Sequence, residues 1–212
     1  MLLPSEEVER VFRKVAQVRA HLPSMQAGHP DTELDFNLLA DAIADMYQLK
    51  IEINEVASKG RYVAGMVERY ADGRAVILAR SQQSDDMFRL VVVKELCHLM
   101  IDEQDDWSGD GLLTIREMKI EFDVAKKDGN GVADPSRTQM SEYLALIAAI
   151  ALMYPCEMHA ADAEKLAQDT ATVAKVALDH NMPAWAVEKA HDHSDIFSLY
   201  QPIADEMANP QM

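Results

Sequence analysis

Two cysteines in 212 residues, Cys97 and Cys156, are too few for a disulfide framework, and they form no C-x-x-C pair. Both sit in apolar helical contexts and read as reduced, packed thiols, which points to a cytoplasmic setting. Aromatic residues make up only 6% of the chain against 49% apolar overall, so the interior must be filled largely by Ala, Leu, Val and Met, as in a helix-rich protein. Positive charge is scarce as well: 20 Lys and Arg against 36 Asp and Glu give a formal net charge of -16. Such a field repels phosphate backbones and anionic bilayers. Direct nucleic-acid binding is therefore disfavoured, and a basic protein surface is the better electrostatic match. No apolar run approaches the roughly 20 residues needed to cross a bilayer; the longest extends from Leu144 to Met153. The opening residues, Met1-Leu2-Leu3-Pro4-Ser5-Glu6-Glu7, lack the basic and apolar regions of a signal peptide.

What is present is enough for one domain of ordinary size, or a core with a small appendage. Ser5 followed by Glu6 and Glu7 predicts a helix start, and Val8, Val11, Phe12, Val15 and Val18 recur at helical spacing up to Pro23. A second helix is expected from Asp31-Thr32, with its stripe at Leu34, Leu38, Leu39, Ala42, Ile43 and Met46. Lys50 to Val56 then alternates, Tyr62 to Tyr70 is rich in strand formers, and Asp72-Gly73 turns into Arg74-Ala75-Val76-Ile77-Leu78-Ala79, predicting a short antiparallel sheet. From Ser84 the pattern is helical again and too apolar all round for a surface helix. An acidic loop containing Asp105-Asp106-Trp107, a helix over Thr114 to Lys126, and an apolar helix from Ser141-Glu142 to Met153 are expected next. The remainder reads as helical, with breaks near Pro183, Ser194 and Pro202.

The buried helix carries Lys94-Glu95-Leu96-Cys97-His98. In the HExxH arrangement two histidines four residues apart present both imidazoles to one zinc, and the glutamate between them is general base toward the metal-bound water. Here Glu95 matches the base and His98 the second ligand, while lysine stands where the first histidine would be. A protonated ammonium has no lone pair, and deprotonating it is costly at neutral pH.

On these residues the chain resembles the ImmA/IrrE-type zinc-dependent peptidases, which regulate mobile elements and stress responses in bacteria by cleaving repressors. The resemblance spans roughly Asp31 to Pro155: a helix, a three-stranded sheet, the motif helix, and a later apolar helix ending at Tyr154-Pro155. It implies an α+β zincin-like fold with a helical C-terminal half. It divides the chain into an N-terminal helix (1–30), a metallopeptidase-fold core (31–155) and a helical extension packed on that core (156–212). It also implies a third zinc ligand, a glutamate near the start of the later helix, for which Glu142 is the acidic candidate. Two functions follow. In one, Lys94 and Glu142 face each other where zinc would sit, the ammonium replaces the metal charge, no zinc is held, and the chain acts as a regulatory or protein-binding factor. In the other, the chain is an active metal-dependent endopeptidase with Glu95 as base and His98, Glu142 and Asp102 around a metal.

Blander assignments cover the remaining features. Glu95, His98 and Asp102 share one helix face, but a di-iron bundle needs a second Glu-x-x-His helix and none is present. Adjacent helical residues point about 100° apart, so Cys97 and His98 do not form a thiolate–imidazole pair. Asp128-Gly129-Asn130-Gly131 lacks the acidic offsets of a calcium loop. His191-Asp192-His193 reads as a short exposed polar turn. Val173 to Ala190 reads as two short helices without the basic stripe that DNA reading requires.

Overall fold

The computed structural model describes residues 5–22, 34–57, 64–103 and 137–208. The expected helix over Thr114 to Lys126, the acidic loop and the Asp128–Gly131 segment lie outside them. In chain order the elements are α1 (Ser5–His21), α2 (Phe36–Tyr47), β1 (Lys50–Val56), β2 (Gly65–Arg69), β3 (Arg74–Arg80), α3 (Asp85–Ile101), α4 (Arg137–Met153), α5 (Cys156–Ala167), α6 (Val173–Asp179), α7 (Ala184–Asp192), α8 (Ser194–Phe197) and α9 (Tyr200–Ala208). The fold class is α+β, as the sequence predicts.

Local chemistry sets the boundaries. The second helix starts at Phe36 rather than near Asp31 because the Asp35 carboxylate accepts a hydrogen bond from the Asn37 N–H, satisfying one of the orphan donors of the first turn. It stops at Gln48, which adopts the left-handed conformation (φ 54°) and donates its N–H to Ala44. The apolar helix begins a turn before Ser141, at Arg137. The break near Pro202 falls at Ser198 and Leu199, and Pro202 itself is the third residue of α9, within the first turn, where the N–H it lacks has no helical acceptor.

The sheet is mixed, which corrects the all-antiparallel expectation. Its order is β1-β3-β2: β2 and β3 form the expected hairpin through Asp72-Gly73, whereas β1 lies parallel to β3, pairing Lys50 with Arg74 and Val56 with Arg80. Burial explains the order. β3 alone alternates Ala75, Ile77 and Ala79 into the core with no exposure, so it takes the centre, and the more polar β1 and β2 become edges. Gly73, with φ 85°, provides the positive dihedral of the hairpin turn.

The motif helix α3 runs through the middle of the molecule, against the sheet on one side and α4 on another. Its residues from Arg89 to Ile101 are all buried except Lys94. Its C-terminal carbonyls are served by cations from α1: Arg10 donates to Ile101 O at 2.9 Å and Lys14 to Met100 O at 2.6 Å, where the helix dipole favours positive charge. α1 also meets the chain's last helices, with Phe12 5.5 Å from the Tyr200 ring and 6.1 Å from the Phe197 ring. Among the described residues no single helix is long and apolar enough to cross a membrane.

Candidate functional site: an ammonium among carboxylates

Among the described residues Glu95 and His98 are buried polar side chains, as are Arg89 and Asp162. Helical spacing puts residues 94, 95, 98 and 102 near one side of α3, and α4 crosses there with Ser141 and Glu142. The Lys94 ammonium lies 2.6 Å from Glu142 Oε2 and 3.0 Å from Glu95 Oε1. It is also 3.5 Å from His98 Nε2. Glu95 Oε1 has no hydrogen-bond partner among the described residues, so its contact with Lys94 is an ion pair. Burial works against the ammonium, but the charges of Glu95 and Glu142 outweigh it, and Lys94 is held above the ordinary lysine range. It is a cation at any physiological pH.

His98 is oriented from its other nitrogen. Nδ1 lies 2.8 Å from Asp102 Oδ2 and Ser141 Oγ donates to Asp102 Oδ1 at 2.7 Å. An ionised carboxylate only accepts, so Nδ1 carries the proton. Nε2 then faces Lys94 and Glu142 Oε1, the latter at 3.5 Å. Burial pushes the imidazole pKa down, the Asp102 bond pushes it up, and the balance is a raised value. For Glu142, burial is outweighed by Lys94 and His98, and its pKa is lowered. Its side chain is 40% exposed, against 4% for Glu95, so Glu142 sits at the mouth of the cluster and Glu95 at its base.

The structure thus brings Lys94, Glu95, His98 and Glu142 together. Asp102 stands behind the imidazole, on the Nδ1 side, where it aims His98 and is turned away from the point Nε2 faces. Ser141 was not singled out in the sequence. Its signal was available, since it directly precedes the candidate Glu142, but its role depends on α4 crossing α3. Ser141 Oγ is 3.3 Å from His98 Nδ1. It lies on the same nitrogen as Asp102, so it is not placed as a nucleophile activated through Nε2. Cys97 is fully buried, which pushes its thiol pKa up, and it takes no part.

Gly65 lets the sheet approach this close. A Cβ at that position would stand 2.4 Å from Val91 Cγ1 and 3.1 Å from Glu95 Cγ. Val91 is buried on α3 and has nowhere to go. Gly65→Ala is therefore expected to cost about 1–3 kcal/mol, the usual penalty of overpacking. An unchanged urea midpoint in that variant would refute the close approach.

The donor set does not fit a zinc ion. The position between His98 Nε2 and Glu142 is taken by an ammonium, which offers no lone pair and repels a cation. Among the described residues no group of three His, Cys, Asp or Glu side chains is arranged to hold a metal.

A second polar cluster lies outside the motif, where α5, α6 and α7 meet. Tyr154, buried at 1% exposure, donates to Asp162 Oδ2 at 3.2 Å and lies 3.3 Å from His191 Nε2; His180 Nε2 lies 2.6 Å from Asp162 Oδ2. His191 is thus part of a packed cluster on α7 and not of the exposed turn the sequence suggests. Val173 to Ala190 does form two short helices, broken at Asn181 in the left-handed conformation.

No protein-family model matches the chain, and no curated protein does. Among solved structures, one similar chain is a Mycobacterium tuberculosis transcriptional regulator, 18% identical, with a TM-score of 0.46; the match covers 87% of this chain and 51% of that one. The chain thus spans about half the length of that regulator.

Proposed function

We propose that this chain is a metallopeptidase-fold protein of the ImmA/IrrE type in which a lysine ammonium replaces the catalytic zinc, and that it works by binding a protein rather than by cleaving one. One observation carries the reading. Lys94 Nζ lies 2.6 Å from Glu142 and 3.5 Å from His98 Nε2, the two groups that the family resemblance assigns to the metal. A permanently protonated group there supplies the positive charge that lets Glu95 stay buried, and it leaves no Lewis acid to polarise a carbonyl or activate water. Glu95 keeps the position of the base without a metal-bound water to act on.

The partner class follows from charge. With a net charge of -16, the surface favours a basic protein face, and association should weaken as salt screens it.

Elemental analysis of the purified, unmutated protein after saturation with zinc and desalting tests the reading. The expected zinc content is far below one per chain. Stoichiometric zinc, together with peptide cleavage that disappears in Glu95→Gln, would establish the active endopeptidase instead.

A further inference from the structure

The cluster around Tyr154 contains a feature that the motif site does not use. His159 on α5 and His191 on α7 stack face to face, with ring centroids 4.4 Å apart and planes 22° from parallel. Tyr154 meets both edges, its ring 5.8 Å from His159 and 6.0 Å from His191. His159 Nε2 is buried with no hydrogen-bond partner among the described residues. The two stacked imidazoles therefore tie α5 to α7.

We propose that this histidine stack is an acid-sensitive latch, which holds α5 against α7 near neutral pH and releases them as the pH falls through the histidine range. A proton arriving at His159 Nε2 makes a buried donor with no acceptor and sets a cation against the face of a second imidazole. A proton on His191, whose Nε2 has the Tyr154 hydroxyl at 3.3 Å, likewise sets a cation against the face of its stacked neighbour. Both changes oppose the packed state.

The surrounding charges do not rescue it. On α5, Asp162 is the carboxylate whose charge acts on both histidines, but Lys165 holds its Oδ1 at 2.7 Å, and its Oδ2 is shared by His180 at 2.6 Å and the Tyr154 hydroxyl. On α7, Asp192 is exposed and acts on His191 only at a distance. From α8 the nearest ring is Phe197, 6.3 Å from His159, which offers no lone pair. Burial accordingly lowers the pKa of both His159 and His191. The latch is complete above the ordinary histidine value of 6.5. It is lost as the pH falls through the depressed folded-state values, because the unlatched chain then binds protons that the latched one refuses.

Two measurements on the full chain decide it. Histidine ring signals followed by NMR should give His159 a midpoint below 6.5, and a midpoint at or above that value overturns the proposal. Amide exchange, corrected for its intrinsic pH dependence, should show α5 and α7 losing about tenfold protection for each unit of depressed pKa titrated, with α3 unchanged. In His159→Phe/His191→Phe, which keeps two stacked rings without the protons, that loss should vanish. An equal loss in the double variant, or one spread evenly over α3, overturns the latch; should the double variant not fold, the NMR midpoint decides alone.

Discussion

Replacing Lys94 with methionine is expected to cost about 3–5 kcal/mol of stability, the range for removing one partner of a buried ion pair. Methionine fills much of the lysine volume, so little of the loss comes from packing. It comes from Glu95, whose side chain is 4% exposed and whose Oε1 has Lys94 Nζ, 3.0 Å away, as its cationic partner. Without the ammonium, that carboxylate must take up a proton or stay charged in an apolar setting. Two controls fix the cause. Lys94→Met/Glu95→Gln removes both charges and should recover a large part of the loss. Glu142→Gln should cost under about 1 kcal/mol, because a carboxylate 40% exposed is screened and rehydrates easily. Urea denaturation of the three variants reads all of this. A cost for Lys94→Met of no more than a few tenths of a kcal/mol would show that Glu95 does not depend on the ammonium.

Lys94→His is expected to give the site a stoichiometric zinc. His98 Nε2 and Glu142 Oε1 are 3.5 Å apart. Two ligand atoms each about 2.1 Å from a tetrahedral ion are separated by about 3.4 Å, so this pair already stands at the spacing of two zinc ligands. A second imidazole one helical turn before His98 would complete three ligands, and Asp102 and Ser141 already hold His98 in the Nδ1–H tautomer that leaves Nε2 free to ligate. Zinc should rise to about one per chain, and zinc at a hundredfold excess over its Kd should stabilise the variant by about 2.7 kcal/mol. Chelator should reverse that gain in Tm. A folded Lys94→His protein that takes up no zinc would show that these side chains do not converge as a ligand set.

Much of this was legible in the sequence because it is local. The helical periodicity of Val8 to Val18, the all-round apolar run of α3, the Asp72-Gly73 hairpin and the break before Pro183 each depend on residues within a few positions of one another. The juxtaposition of Lys94 with Glu142 was anticipated through the family resemblance, which supplied a contact 48 residues apart that no periodicity contains. The parallel pairing of β1 with β3 was not legible. Alternation gives a strand its two faces but not its neighbour, and the neighbour was decided by which strand had the most apolar surface to bury. Ser141 was missed for a similar reason: it precedes Glu142 by one residue, yet its bond to Asp102 exists only because α4 lies across α3.

The histidines mark the boundary most clearly. His98 could be singled out from its spacing to Glu95, since one helical turn fixes which residues share a face. His159, His180 and His191 are spread over 33 positions with no common period, and only the packing of α5, α6 and α7 around Tyr154 and Asp162 brings them within reach of one another. By itself the sequence determined that the chain would build a helix-rich α+β core with Lys94 one turn before His98 on a buried helix, because composition and short-range spacing suffice for that. The tertiary structure decided what the lysine touches, how the strands pair and which imidazoles meet, because those depend on burial shared between segments distant in the chain.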